Sequence, residues 1–409
     1  MKPTVTRTPD GYSLKWQEGI EALAERVTEH RDELGCELTV NTTRPPKPGM
    51  LHWGRFNLSS EQTRTRLAAK LAKRDADVDW DGLMEQLCVL VADEHRRGDP
   101  AVDLREVPIA VSTRWLVEPF VELAGPTVLF ADGGTGKSLT ALAIAATCAS
   151  GKPIVGKPHG DPAPVLYLDW ETDAATTSER LHAVCWGAGV PQLPPVHYRR
   201  QIASLEAAAP EIRREIARIG AGLVVVDSLG AARGGEPESA DLTIRTFNAA
   251  RSLGVPMLFV DHVTKAAGNG SDKAFGSVYT HNLARITWSM DKAQDEGQKG
   301  STVLLTNRKR NNGHLLPRVA YRVVVEADDD GVLSGITFQS VDAVDTPMAD
   351  RLPVKAQIWA VLRHGGKALK ELSEEIGVAP ETVARTLRRY PEMFVKQPDG
   401  TFWNKERES

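Results

Sequence analysis

Residues 127–145 read TVLFADGGTGKSLTALAIA, and few stretches so short leave a chain so little choice of fold. A β-branched and aromatic run at 127–130 enters a glycine-rich turn, and a segment of helix formers leaves it. Between them lie Gly133, Gly134, Thr135, Gly136, Lys137 and Ser138. Glycines let successive backbone N–H groups turn toward one point, and a helix N-terminus adds partial positive charge there. Strand, loop and helix in this order predict a cradle for a polyphosphate, lined by Gly133 to Ser138 and by Leu139. Lys137 is expected to reach the outer phosphates and Ser138 to help hold Mg²⁺. The position where the usual pattern has its first glycine is Ala131.

The surrounding pattern extends that expectation into an α/β fold. From about 107 to 344, short apolar runs at 127–130, 165–169, 223–227, 257–261 and 302–306 alternate with helical segments at 138–150, 176–188, 205–219 and 240–253. Near-continuous apolar strands joined by helices predict a mostly parallel sheet covered on both faces. Runs at 323–326 and 336–338 read as added antiparallel strands. The boundaries are expected at 1–105, an α-rich N-terminal region; 106–345, the ATPase-type core; 346–353, a polar linker; and 354–409, a small helical unit. Within the first region the pattern reads as a helix from Leu14 to about Leu34, a short strand at 36–40, and a helical stretch from 59 to 97 interrupted near 75–81. A scaffold or oligomerisation role is the plain reading of that region.

Composition narrows the function classes. The 50 Lys and Arg against 54 Asp and Glu give a net charge of −4, so any nucleic-acid contact must come from local basic patches. The four cysteines (Cys36, Cys88, Cys148, Cys185) lack Cys-x-x-Cys spacing, which argues against a zinc module or disulfide scaffold and fits a reducing cytoplasm. No apolar run reaches the length of a membrane span, and the polar N-terminus does not read as a secretory signal.

Chemistry-bearing residues cluster at the ends of the apolar runs. LVVVDS places Asp227 at a strand end, 90 residues beyond Lys137, where a carboxylate positions Mg²⁺ through water; capping of the next segment is the bland alternative. VLYLDWETD offers Asp169, Glu171 and Asp173; Glu171 is the choice for the base that polarises the attacking water, Asp169 the runner-up, and a solvated acidic loop the alternative. VDHVTK puts His262 and Lys265 just past another strand, either as a sensor of the outermost phosphate or as a structural histidine. The stretch 266–280, with Gly268, Gly270, Lys273 and Gly276, suits a nucleic-acid contact or a plain loop. RKRN groups Arg308, Lys309 and Arg310; these are a solvated or nucleic-acid-binding patch, or an arginine finger reaching a neighbouring subunit.

At the C-terminus, segments 355–362, 368–376 and 380–390 read as three helices, the last two a helix-turn-helix, and 394–396 with 401–403 read as a hairpin-like wing. The final helix carries Thr382, Arg385, Arg388 and Arg389 where a recognition helix meets a major groove. Residues 355–409 hold ten Lys and Arg against eight Asp and Glu, so a protein-adaptor role competes with duplex binding.

Taken together, RWLVEP (114–119), FADGGTGKSLTAL, LYLDWET, VVVDSL, VDHVTKA and RKRN resemble the RecA-like P-loop ATPases of the plasmid RepA type. These are related to the ring-shaped replicative helicases of the DnaB class. The resemblance covers about 107–344. It implies ATP with Mg²⁺ as cofactors, a homo-oligomer in the form of a hexameric ring with ATP between subunits, and single-stranded DNA in the central pore. It puts the catalytic glutamate on Glu171 and the base-side segment at 114–119. RKRN looks like the Lys-x-Arg-Asn element of those helicases with Arg308 in place of the lysine, which keeps charge but changes geometry. The expected function is a DNA-dependent ATPase, a replicative helicase or initiator of a plasmid, phage or mobile element. The alternative is an ATP-controlled DNA-binding regulator that separates no strands.

Overall fold

The computed structural model describes residues 2–8, 10–45, 48–98, 101–108, 114–236, 239–262, 278–294 and 300–405. Two compact units emerge, one made of 1–112 with 207–219, the other of 113–206 with 220–409. Lys265 and 266–277 lie outside the described residues.

The first unit is built on strands β1 (Thr4–Thr8), β2 (Gly11–Lys15), β3 (Ile20–His30), β4 (Glu33–Thr42) and β5 (Gly49–Asn57), joined in that order as one antiparallel sheet. Helices α1 (Glu61–Ala72) and α2 (Trp80–Arg97) supply Leu67, Leu71, Leu83, Leu87 and Val91 to a core shared with Leu14, Ile20, Leu38 and Val40. Ser60 and Asp79 cap the two helices by accepting from Thr63 N and Gly82 N. The α-rich expectation for 1–105, and the helix over Leu14–Leu34 in particular, is therefore corrected. Ala and Glu there favour a helix intrinsically. But Ile20, Ala22 and Ala24 alternate with Glu21, Leu23 and Glu25, and β2 and β4 flank that strand on both sides. Alternation with two pairing partners outweighs local propensity.

The second unit opens with β6 (Trp115–Glu118) and β7 (Val121–Glu122), then β8 (Pro126–Ala131), α3 (Lys137–Ser150), β9 (Lys157–Pro158), β10 (Val165–Asp169) and α4 (Ala174–Gly187). Next come β11 (Val196–Arg200), α5 (Leu205–Ile219, whose 207–219 group with the first unit), β12 (Leu223–Asp227), α6 (Leu229–Ala232), α7 (Ala240–Ser252), β13 (Met257–His262) and α8 (Val278–Leu283). Strands β14 (Ile286–Ala293), β15 (Gly300–Arg310), β16 (Val319–Ala327) and β17 (Leu333–Val341) complete a nine-stranded sheet of order β11-β10-β12-β13-β8-β14-β15-β16-β17. The first six strands in that order are parallel and the last three antiparallel. The parallel strands β8, β10 and β12 are buried along their whole length, as a sheet covered on both faces requires. Parallel strands end together, so Ala131, Asp169, Asp227 and His262 arrive at one edge.

Two 3₁₀ turns, Ala343–Asp345 and Ala349–Arg351, lead into α9 (Val354–Leu362), α10 (Leu369–Ile376) and α11 (Pro380–Arg389), followed by the antiparallel pair β18 (Phe394–Lys396) and β19 (Phe402–Asn404). Ile358, Leu362, Leu372, Val383, Leu387 and Phe394 form their shared core. All four cysteines are buried thiols. Among the described residues no helix is long and apolar enough to cross a membrane.

Candidate nucleotide site

Strand β8 ends at Ala131, which pairs with His262 of β13 and is 2% exposed. The missing first glycine is thus a strand residue, where a Cβ costs nothing. The left-handed positions fall instead on Gly134 (φ +73°) and Gly136 (φ +95°), the latter capping α3. Thr135 Oγ1 closes the loop by donating to Asp132 O at 2.6 Å. Lys137, the first residue of α3 and 5% exposed, donates through Nζ to Ala131 O at 3.0 Å and to Asp132 O at 2.8 Å. Burial lowers the pKa of Lys137, while the carboxylates of Asp227 and Glu171 pull it back up. Leu139, half-buried, packs its side chain against the core.

At the next strand ends the three acids of the 165–173 stretch separate into three roles. Asp169 is fully buried and accepts from Glu171 N at 2.8 Å and Thr172 N at 3.0 Å, which fixes the turn. Asp173 caps α4 by accepting from Thr176 N at 2.9 Å. Glu171 alone points along the edge, where its Oε1 accepts from Ser228 Oγ and lies 3.5 Å from His262 Nε2. His262 Nδ1 in turn lies 3.4 Å from Lys137 Nζ. Lys137, His262, Glu171 and Ser228 therefore form one line from the P-loop to the end of β12.

Asp227 stands beside that line, 4% exposed. Tyr167 Oη donates to its Oδ2 at 2.7 Å. Burial raises the pKa of Asp227, and hydrogen bonds from Tyr167 and Ser138 oppose that rise. Ser138 and Asp227 are hard oxygen donors facing each other at the head of α3, a pair that fits Mg²⁺ entering with a polyphosphate. Among the described residues no set of three His, Cys, Asp or Glu is arranged to hold an ion without one.

The basic cluster is divided by the sheet. Arg310 pairs with Ile286, which pairs with Thr127 at the entry of β8, so the cluster ends at the edge opposite the P-loop. Arg310 Nε donates to Glu122, a carboxylate 1% exposed, at 3.1 Å, and its guanidinium lies 4.9 Å from the Trp115 ring centroid. Lys309 Nζ donates to the carbonyls of His281, Asn282 and Ala284 at the end of α8. Arg308 occupies a bulge, half-buried, with Nε donating to Ser289 Oγ at 2.7 Å. No member of the cluster reaches the P-loop of its own chain. Trp115 and its strand also lie at that entry edge, away from the phosphate loop.

Sequence reasoning passes over two contributors. Tyr167 looks like an ordinary buried strand residue; its position two before Asp169 is the only cue. Arg351 lies far along the chain yet lines a cavity of about 410 Å³ with Asp132, Gly133, Thr135 and Met290.

A family model described as an AAA domain matches residues 92–268. Among solved structures, the KaiC-like protein PH0186 of the hyperthermophilic archaeon Pyrococcus horikoshii OT3 is similar at 14% identity and a TM-score of 0.38, over 55% of this chain and 93% of that one. No curated protein matches. The AAA-domain match spans the glycine loop, Glu171, Asp227 and His262, the residues that the parallel sheet gathers at one edge.

Proposed function

We propose that this chain is a Mg²⁺-dependent ATPase acting on DNA, a ring-forming replicative helicase or replication initiator of a plasmid, phage or mobile element. The observation that carries the hydrolytic part is the line Lys137–His262–Glu171 at one sheet edge. With ATP bound, Lys137 exchanges its loop carbonyls for phosphate oxygens. Glu171 takes the proton of the attacking water, and Ser228 holds that carboxylate in place. Ser138 and, through water, Asp227 would hold Mg²⁺, which would supply charge neutralisation on the phosphates. His262 touches both Lys137 and Glu171 and registers loss of the outermost phosphate.

Support for DNA comes from α11, whose Thr382, Arg385, Arg388 and Arg389 are exposed while Val383 and Leu387 anchor the opposite face. We read α9–α11 with β18–β19 as a winged helix that grips duplex DNA, and the ring as enclosing a single strand. Arg308 is the candidate finger acting in trans, because its partner Ser289 Oγ, at 2.7 Å, is a neutral hydroxyl, whereas Arg310 is bound to the buried carboxylate of Glu122. A second reading, an ATP-controlled initiator without strand separation, needs only the C-terminal module and the ATPase core. ATP turnover with and without single-stranded DNA, followed by displacement on forks with 5′ or 3′ tails, tests the proposal. DNA-stimulated turnover with displacement supports the motor. Stimulation by duplex alone without displacement supports the initiator, and turnover indifferent to DNA overturns both.

A further inference from the structure

Glu171, Ser228 and His262 lie on one side of β8, reached through β13, β12 and β10. A nucleotide whose outer phosphate faces them must extend its sugar and base toward the other neighbour of β8, which is β14. There the loop residues Asp132 to Thr135 share the cavity of about 410 Å³ with Met290, Asp291, Lys292 and Arg351, a volume within the range of small-ligand sites. Its chemistry suits a nucleoside. Met290 is a polarisable apolar wall, 4% exposed, Asp291 accepts hydrogen bonds from hydroxyl or amino groups, and a guanidinium stacks on a planar ring.

Arg351 is not a residue of the sheet. It closes the 3₁₀ turn Ala349–Arg351, and its guanidinium reaches Asp291 Oδ1. The turn is tied on both sides: Arg318 donates to Arg351 O, and Gln357 of α9 donates to Asp350 O and Leu352 O at 2.9 and 2.6 Å. Met348 and Leu352 are buried against Leu304 and Ala320 of the sheet. A group that displaces Arg351 from Asp291 therefore pulls on the segment that starts α9.

We propose that Arg351 and Asp291 form the nucleoside end of the ATP site, and that through Arg351 the C-terminal module is coupled to nucleotide occupancy. The proposal rests on the P-loop reading above and adds a residue from outside the core. The test compares ATP with inorganic tripolyphosphate, which fills the loop but has no nucleoside. Arg351→Ala is expected to weaken ATP binding about tenfold, the loss of one stacked cation, and to leave tripolyphosphate binding unchanged. Lys137→Ala is expected to lose both ligands. Equal loss of both ligands in Arg351→Ala, or unchanged ATP affinity, overturns the proposal and leaves the P-loop reading standing. A parent protein that binds neither ligand overturns both. On the parent protein, hydrogen exchange across Val354–Leu362 is expected to slow with ATP but not with tripolyphosphate; identical exchange with the two ligands removes the coupling.

Discussion

His262 Nε2 stands 3.5 Å from Oε1 of Glu171, on a ring whose Nδ1 faces Lys137 at 3.4 Å. One side chain thus touches the group expected to bind the outer phosphates and the group expected to activate water. The contact exists because β13 lies next to β8 and β12 next to β10, so parallel strands deliver all three residues to one edge.

Replacing Glu171 with Gln keeps shape and the partner Ser228 but removes the basic oxygen. ATP binding is expected to persist while turnover falls by about 100-fold or more. Asp169→Asn is expected to behave differently, because Asp169 is occupied by Glu171 N and Thr172 N. It should lower stability by about 1–2 kcal/mol, as a weakened buried acceptor does. Single-turnover hydrolysis beside urea melts separates the two, and parent-like turnover in Glu171→Gln would move the base elsewhere.

Tyr167→Phe removes the hydroxyl that donates to Asp227 at 2.7 Å. Burial already raises the pKa of Asp227, and that hydrogen bond works against the rise. Without it the carboxyl climbs further, so turnover that needs ionised Asp227 should fail at a higher pH than in the parent. The acid limb of the kcat profile is the measurement. An unmoved limb would show that Asp227 does not titrate within it.

Arg308 and Arg310 are expected to part company. Arg310→Ala leaves the buried carboxylate of Glu122 with Asn312 Nδ2 at 3.2 Å but without its cation, and should cost about 3 kcal/mol of stability. Arg308→Ala should leave the melting midpoint near the parent value and suppress turnover of the oligomer. Mixing Arg308→Ala subunits with Lys137→Ala subunits should restore some activity, because each supplies what the other lacks. Absence of rescue at every mixing ratio argues against a shared site.

Much of the core was legible because buried parallel strands are long apolar runs and the glycine loop has a fixed chemistry. The runs ending at Asp169, Asp227 and Asp261 are strands at nearly the expected bounds. Strand β14 was not legible: ITWSMDKA mixes polar residues into its run, and its role depends on pairing with β8 and β15. The sheet of the first unit hid behind Ala and Glu content that favours helices. At the site, motif spacing named Lys137, Glu171, Asp227 and His262. It could not show that Arg310 is consumed by Glu122, 188 residues away, since only the fold brings them together.

Behind His262, Arg233 and Asp261 form a pair with side chains 0% and 1% exposed, and Arg233 also donates to Thr280 Oγ1 at 2.9 Å. Burial pushes the Asp261 carboxyl up from 3.8 to about 6, against the pull of Arg233. Because the folded value exceeds the unfolded one, the folded state holds this proton more tightly. The contribution is fully present below about pH 4 and is lost as pH rises through about 6. The stability of the parent relative to Asp261→Asn, which does not titrate, should therefore fall between pH 4 and pH 7 by about 2 kcal/mol. Chemical denaturation at both pH values checks this, and a difference that grows with pH would mean that Arg233 holds the carboxyl below its ordinary value.

The exposed cations of α11 make the sharpest demand on the DNA reading. Val383 and Leu387 are buried in the small C-terminal core, and Arg385, Arg388 and Arg389 project from the rest of the helix. Phosphate contacts carry most non-specific affinity, and each one lost lowers the salt slope by about one unit. Changing all three arginines to alanine is expected to reduce duplex affinity at least tenfold at low salt, by about 1.4 kcal/mol or more, and to flatten its salt dependence. ATP turnover without DNA should stay at the parent level, because none of the three lines the nucleotide cavity. Fluorescence anisotropy across a salt series gives both numbers. Undiminished duplex affinity in the triple variant would assign the DNA contact to the ATPase core and leave α11 as a docking face for another protein.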